Sequence, residues 1–372
     1  MKAAARGIWL VGMLPWLAGC GTTEVVVGEA AGVARIVAGV LGQSHVVGFP
    51  DVASPGPATA APIGSPTGIV GREDGSFLFA DLIRRRIGAV TAGGDLSWPV
   101  GRGVCTVLGP AGTDPRALCL ARPLGLALAD DGTVLIADLS GHRVYRFDPA
   151  ADAVAVVLGT GARGVAGDGA VAAQSPTDRP AAVTTRPDGS IYVAEAGNHR
   201  VVRIGADGGL TAFAGRAGTA GDAGDGAPAV DAALRAPAGL AWSGDTLFVA
   251  DAGNHRIRMV VRDTIRAFAG LGAAGFAGDR GPAVAALFRD PGLLAVGGTL
   301  LFVADRGNRR LRIIRLGPDS IDTFAGTGSA VAGPDLLEAG RTAIAGPAGV
   351  AAAGRAVFVS DSGGFVVRRV IR

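Results

Sequence analysis

The sequence has little excess charge of either sign, and Lys2 is its only lysine. The 372 residues include 35 basic and 32 acidic side chains, which give a formal net charge of +3. Removal of residues 1–19 would take away Lys2 and Arg6 without any acid, and so would lower the net charge by two, to +1. The arginines are scattered rather than clustered, so we do not expect a nucleic-acid partner.

The sequence also lacks a long apolar stripe with the 3.6-residue period of a helix, and this excludes a helical bundle after residue 20. Short apolar runs, such as residues 247–250, are instead followed by turns rich in Gly, Asp and Asn. In the next run, Arg256 and Arg258 alternate with Ile257 and Met259, which is the two-residue period of a strand. The pattern predicts an all-β protein.

Six copies of one hairpin segment are spread along the chain. Each copy has an apolar run ending in an acidic residue, a tight turn and a second apolar run, as in LFVADAGNHRI. The acidic residues are Asp81, Asp138, Glu195, Asp251, Asp305 and Asp361. Their regular spacing of 54 to 57 residues indicates a solenoid, a propeller or another repeat array.

Two further markers keep the same phase: a Pro-x-Gly turn before each hairpin and a strand that ends in Gly after it. The prolines are Pro66, Pro123, Pro180, Pro237, Pro291 and Pro347. The turn glycine is replaced by Ala182 in the third copy and shifted to Gly292 in the fifth. The repeated unit is therefore predicted to contain four strands rather than a single hairpin.

The two chain ends are out of phase with the repeat. The last copy stops at Arg372 after its third strand, while the strand that it lacks, residues 33–39, precedes the first hairpin. An open solenoid gains nothing from this offset, but in a ring the N-terminal strand can complete the last sheet and remove exposed edges. We therefore predict a six-bladed β-propeller, with four strands per blade and the N-terminal strand closing the C-terminal blade.

Three segments resemble NHL repeats: EAGNHRVVRI from Glu195, DAGNHRIRMV from Asp251 and DRGNRRLRII from Asp305. The loops that begin at Ala223 and Ala277 resemble the Gly-Asp-Gly-Gly-Pro-Ala segments of bacterial NHL proteins. The resemblance covers residues 33–372, is weakest in the sixth copy, and implies an NHL-like propeller. It implies no particular ligand, because the family contains scaffolds, nucleic-acid binders and a few lyases.

The N-terminus resembles a bacterial lipoprotein signal: a basic start, a short apolar stretch and the segment LAGC ending at Cys20. It implies a signal peptide at residues 1–19, lipidation of Cys20, a lipidated tether at 20–32 and a propeller at 33–372. The alternative is an ordinary secretory signal with an incidental cysteine. The expected location is the bacterial cell envelope, as an outer-membrane lipoprotein that faces the periplasm or the exterior.

Of the three cysteines, Cys105 and Cys119 remain as a pair if Cys20 carries lipid. Both fall in the connection between the first and second repeats, and export favours oxidation. We predict a disulfide between them. In the chain-entropy model, closing a loop of about fifteen residues stabilises the fold by roughly 3 kcal/mol.

The recurring acids, from Asp81 to Asp361, are interpreted as structural. An Asp at the start of a tight turn accepts hydrogen bonds from the turn backbone, and an Arg follows five residues later in five of the six copies. The histidines His142, His199 and His255 suggest an open zinc site. Because they lie on successive blades well outside the axis, their rings should be about 10 Å or more apart, so we interpret them as turn residues and predict no metal site.

The glycine-rich inter-blade loops are the predicted binding face, because they and the central hairpin turns should emerge on one side of the ring. The candidates are Asp168, Asp222, Asp225 and Asp279, expected near the channel entrance. Three interpretations stay open: each turn caps the short helical segment after it, the loops bind calcium, or they contact a protein or a glycan.

The sequence thus favours a non-enzymatic, lipid-anchored scaffold of the cell envelope that presents a loop-rich propeller face to a protein or a glycan. We expect a monomer without a cofactor, although calcium is the alternative at the loops, and contact with the membrane only through the lipid anchor. The alternative function is an enzyme of lyase or lactonase type with a metal in the central channel.

Overall fold

The computed structural model describes residues 33–41, 56–105, 114–334 and 337–372. These residues form six antiparallel sheets arranged as the blades of a propeller, as predicted. In the described residues no helix has the length and apolar character needed to cross a membrane. The signal segment, Cys20 and the tether lie outside the described residues.

The strands follow one pattern in every blade, from the innermost strand to the outermost. Blade 1 contains Pro66–Gly71, Phe77–Asp81, Arg86–Val90 and Asp95–Val100. Blade 2 contains Pro123–Leu128, Val134–Asp138, Arg143–Asp148 and Ala153–Leu158. Blade 3 contains Pro180–Thr185, Ile191–Glu195, Arg200–Ile204 and Leu210–Ala214.

Blades 4 to 6 repeat this arrangement. Blade 4 contains Pro237–Ser243, Thr246–Asp251, Arg256–Val261 and Thr264–Ala269. Blade 5 contains Pro291–Gly297, Leu300–Asp305, Arg310–Arg315 and Ser320–Ala325. Blade 6 contains Pro347–Ala353, Ala356–Asp361, Val366–Ile371 and, from the other end of the chain, Val33–Ala38.

Short elements fill the connections between blades and the hairpin turns between the second and third strands of blades 4 and 5. Three two-residue strands extend blades 1, 5 and 6 at their outer edges: Gly56–Pro57, Gly281–Pro282 and Leu337–Glu338. The 3₁₀ helices are Ala58–Ala60, Pro115–Ala117, Ala172–Gln174, Ala229–Asp231, Ala252–Asn254, Ala283–Ala285, Arg306–Asn308 and Ala339–Arg341.

The ring closes between the two ends of the chain. Strand Val33–Ala38 pairs antiparallel with Val366–Ile371, and Ala34 lies opposite Val370. This pairing confirms the prediction that an N-terminal strand completes the C-terminal blade. It also removes the edges that both strands would otherwise expose.

The Pro-x-Gly marker is explained by the close approach of neighbouring innermost strands. A Cβ added at Gly239 would lie 2.2 Å from the carbonyl oxygen of Gly292 in the next blade. A Cβ at Gly125 would lie 2.7 Å from the carbonyl oxygen of Ala181. Glycine therefore lets the innermost strands pack backbone to backbone around the axis, and this narrows the channel at that level.

The hydrophobic core lies between adjacent blades. Phe248 in blade 4 and Leu301 and Ile314 in blade 5 belong to one buried cluster. At the closure, the rings of Phe77 and Phe358 are 5.1 Å apart across blades 1 and 6. Burial of a side chain of this size stabilises by roughly 1.5–3 kcal/mol, so the inter-blade faces hold the ring together.

Cys105 and Cys119 form a disulfide, with Cα atoms 5.9 Å apart. The bond lies in the connection between blades 1 and 2, as the sequence predicts. It ties the end of blade 1 to the segment that leads into the innermost strand of blade 2.

Candidate functional site

The repeated acids brace each blade at one end. Asp251 accepts hydrogen bonds from the backbone N–H of Arg235 at 2.7 Å and from the side chain of Asn254 at 2.7 Å. The carboxylate thus joins the hairpin turn to the segment before the innermost strand. Asp81, Asp138, Asp305 and Asp361 make the same backbone bridge, and Glu195 binds Thr177 and Arg200 instead.

A second set of arginines, seven residues after the acid, is buried in blades 4 to 6. These side chains are Arg258, Arg312 and Arg368, and they are completely inaccessible to solvent. Arg258 donates to the carbonyl of Ala233 at 2.9 Å and lies 2.7 Å from Asp225. Burial still raises the pKa of Asp251 to about 6, although Asn254 and the nearby arginines oppose it.

The four loop aspartates lie over the third and fourth strands of the blade that follows each loop. Asp225 and Asp279 are 2.7 Å from the buried arginines Arg258 and Arg312, respectively. Asp168 accepts from the backbone N–H of Ala212 at 2.7 Å, and the backbone carbonyl of Asp222 accepts from Arg256. None of the four belongs to the cavity described below. Their role in ligand binding stays a prediction.

The three turn histidines connect successive blades. Each accepts at Nδ1 a hydrogen bond from a backbone N–H that precedes the innermost strand of the next blade. His142, His199 and His255 bind Arg179, Ala236 and Asp290 in this way, at 3.2, 3.1 and 3.2 Å. Burial lowers the pKa of His142 and His199, which favours the neutral ring that can accept. Among the described residues, no group of His, Cys, Asp or Glu is arranged to hold a metal.

A cavity of about 550 Å³ opens where the hairpin turns surround the start of the innermost strands. We call this end of the channel the mouth. The lining residues are Arg122, Leu124, Leu139, Ser140, His142, Arg163, Arg179, Ala181, Ala196, Ala236, Ala238, Ala252, Gly253, Asp290 and Arg306. All of them come from blades 2 to 5 or from their connections, so the cavity is asymmetric within the ring.

The mouth is built from positions that the repeat leaves variable. The residue before each marker proline lies at the mouth, because every innermost strand begins there. These six equivalent residues are Ser65, Arg122, Arg179, Ala236, Asp290 and Gly346. The prolines are the same in all six blades, but the residues before them differ. The residues at this position therefore determine the charge and polarity of the mouth.

Charge at the mouth is only partly neutralised. Arg306 is 2.8 Å from Asp290, and Arg163 is 3.8 Å from Asp178. In the described part of the chain, the guanidinium groups of Arg122 and Arg179 have neither an ion pair nor a hydrogen bond. The rim is therefore cationic on the side of blades 2 and 3.

His142 cannot satisfy both of the groups that approach it. Its Nδ1 is 3.2 Å from the Arg179 backbone nitrogen, and its Nε2 is 3.3 Å from Nε of Arg163. A neutral imidazole accepts at one nitrogen only. The other two histidines accept at Nδ1, so we assign the same state to His142. The side chain of Arg163, which is 72% exposed, then keeps its 3.8 Å ion pair with Asp178 but has no hydrogen bond to His142.

Comparison with solved structures shows the propeller fold. A protein of unknown function from Bacteroides thetaiotaomicron superposes with a TM-score of 0.65 at 14% identity, over 91% of this chain and 75% of the other. An auxiliary nutrient binding protein from the same organism gives 0.64 at 12% identity, over 91% and 76%. A gluconolactonase from Xanthomonas campestris gives 0.54 at 14% identity, over 83% and 86%.

Comparison of the sequence with family models and with curated proteins does not assign the chain to a family. No family model matches the chain, and no curated protein matches it. Because the structural neighbours are so distant in sequence, they establish the fold and leave the ligand open.

Sequence reasoning missed the cavity residues because it followed what repeats. Arg122, Arg179 and Asp290 sit beside the marker prolines, yet they differ from blade to blade. The change of residue type from blade to blade was the available signal. A residue that the shared fold needs would recur in every blade, whereas a residue that binds a ligand is needed only where the ligand lies.

Proposed function

We propose that this protein is a lipid-anchored, non-enzymatic binding scaffold of the bacterial cell envelope, whose mouth face receives a protein or a glycan. The observation that carries the proposal is the cavity of about 550 Å³ at the mouth. Its volume falls within the range of ligand sites, and its rim is made of loop and turn residues on a rigid ring.

The chemistry of the rim supports binding more than catalysis. Arg122, Arg163, Arg179 and Arg306 line the cavity, and guanidinium groups stay protonated in proteins, so they hold charged groups but do not transfer protons. Among the described residues that line the cavity, His142 is the one histidine, and its Nδ1 is occupied by a backbone N–H. Its role there is to join blades 2 and 3.

The proposed location rests on the N-terminal signal, and the fold neighbours are consistent with it. Two of those neighbours are auxiliary nutrient binding proteins from Bacteroides species. The alternative function is a lyase or lactonase with a metal in the channel. Elemental analysis of the purified protein distinguishes this enzyme from the binding scaffold. One bound zinc or calcium ion per chain would favour the enzyme.

A steric block at the mouth tests the binding proposal. Ser140 is exposed on the rim, so Ser140→Trp should obstruct the cavity without changing its charge. Thr299 is exposed in the hairpin at the opposite end of blade 5, so Thr299→Trp is the matched control.

The assay is capture of envelope proteins and glycans by the immobilised full chain. We expect wild type and Thr299→Trp to retain the same species and Ser140→Trp to lose them. Equal retention by all three proteins, or retention by none, would contradict the proposal.

A further inference from the structure

The mouth cavity combines a cationic rim with an aliphatic floor. Arg122 and Arg179 occupy equivalent positions on adjacent blades, immediately before the innermost strands. Leu124 and Ala181 follow two residues later and face the same cavity. Each of the two blades therefore contributes one guanidinium group above one apolar side chain.

The guanidinium groups at the rim outnumber the carboxylates, so the rim can bind an anion. Asp290 is occupied by Arg306 at 2.8 Å, and Asp178, which does not line the cavity, lies 3.8 Å from Arg163. Among the described residues that line the cavity, Asp290 is the one carboxylate. A guanidinium fork matches the oxygens of an oxyanion such as a carboxylate better than it matches a neutral group, so the rim favours an anion of this kind.

The floor is a small apolar cluster. Leu124, Ala181 and Ala196 are buried in it, and Leu139 and Ala236 pack against them. None of the cavity-lining residues in the described chain is Phe, Tyr or Trp. A floor of aliphatic side chains suits an alkyl group, because it offers no aromatic ring on which a sugar could stack.

The size of the cavity limits the length of that alkyl group. Its volume is about 550 Å³, and the four arginines that line it occupy the rim. The apolar body of a ligand is therefore expected to be short.

We infer that the mouth cavity is a subsite for a carboxylate on a short aliphatic body, bound by Arg122 and Arg179 at the rim and packed on Leu124, Ala181 and Ala196. The inference rests on the proposed function, since it names what the mouth binds. Two sources supply this chemistry: a free short-chain acid, or the C-terminal carboxylate of a peptide that ends in an aliphatic residue.

Calorimetry on the full chain tests the inference with four probes: hexanoate, hexan-1-ol, N-acetyl-leucine and N-acetyl-leucine amide. We expect hexanoate to bind, hexan-1-ol not to bind at the same concentration, and high salt to weaken binding. Tighter binding of N-acetyl-leucine than of hexanoate, with no binding of its amide, would identify a peptide C-terminus as the source. The reverse order would identify a free acid.

Three variants test whether Arg122 and Arg179 bind the carboxylate. Arg122→Gln and Arg179→Gln should each weaken binding of the carboxylate about tenfold or more, because each removes a charge-assisted hydrogen bond. Arg266→Gln is the control, since Arg266 is exposed on the outermost strand of blade 4, away from the cavity. It makes the same change in net charge and should leave affinity unchanged.

Equal binding of hexanoate and hexan-1-ol, no binding of either acid, or equal losses in all three arginine variants would overturn the inference. If no carboxylate binds while Ser140→Trp still abolishes capture, the inference fails and the proposed function stands. If capture is also independent of Ser140→Trp, both fail.

Discussion

Replacement of Arg312 by methionine tests whether the buried arginines hold the inter-blade loops. The Arg312 side chain is completely buried, with Nη2 2.7 Å from Asp279 and Nη1 3.5 Å from Asp305. It also donates to the carbonyls of Ala277 at 3.2 Å and Leu287 at 3.3 Å. One guanidinium thus ties a loop to the middle of blade 5.

The expected loss follows from what the variant leaves behind. Asp305 is fully buried and would lose its cation, although it keeps its hydrogen bonds from Arg289 and Asn308. Breaking a buried ion pair from one side costs about 3–5 kcal/mol. Asp279 is 29% exposed, so water can solvate it in part. We therefore expect Arg312→Met to lower the free energy of unfolding by about 3 kcal/mol, near the lower end of that range.

Urea denaturation at neutral pH, followed by tryptophan fluorescence, measures this loss. Arg315→Met is the control, because Arg315 lies on the same strand with its side chain exposed. Surface substitutions of this kind usually change stability by less than about 0.5 kcal/mol. The double variant Arg312→Met/Asp305→Asn should lose less than the sum of the two single variants, because the stranded carboxylate is gone. Equal losses for Arg312→Met and Arg315→Met would refute the reasoning.

Two further predictions concern pH and the lipid anchor. The lowered pKa of His199 means that its hydrogen bond to the next blade contributes stability above the unfolded pKa of about 6.5, and that this contribution is lost as pH falls toward the folded pKa. The stability difference between wild type and His199→Gln, measured by urea denaturation, should shrink between about pH 7.5 and pH 5, and a constant difference would contradict it. Burial raises the pKa of Asp251 and Asp305 to about 6. The stability that these raised pKa values contribute is present below the unfolded pKa and is lost as pH rises through 6. Wild type and His199→Gln share this contribution, so it does not change the difference between them. Cys20→Ser should move the protein from the membrane fraction to the soluble fraction and abolish labelling by radioactive palmitate, whereas Thr22→Ser should do neither; membrane retention of Cys20→Ser would argue against lipidation.

The architecture was predictable because six copies multiply each local signal. An acid such as Asp251 at a single turn would indicate only a hairpin, but six acids in phase with six prolines define four-stranded units and their number. The offset of residues 33–39 then predicted the closing strand, which the structure places at Val33–Ala38. The pairing of Cys105 with Cys119 followed from their shared connection.

The buried arginines and the histidine connections could not be predicted in the same way. Arg258 is buried because backbone carbonyls at Ala223 and Ala233, some 25 to 35 residues earlier in the chain, converge on it. His142 accepts from a backbone nitrogen 37 residues later. Such contacts depend on how the loops fold over the next blade, and a local pattern does not record that path.

The symmetry of the ring explains why a binding site must be sought where the repeats disagree. A sixfold scaffold gives every blade the same place at the mouth, so six identical residues there would only form a ring of repelling or self-paired groups. Here Arg122 and Arg179 come from adjacent blades, while Asp290 comes from blade 5, across the ring from blade 2, and is already paired with Arg306. A bound carboxylate should therefore lie off the axis, on the side of blades 2 and 3, with its apolar body directed at Leu124.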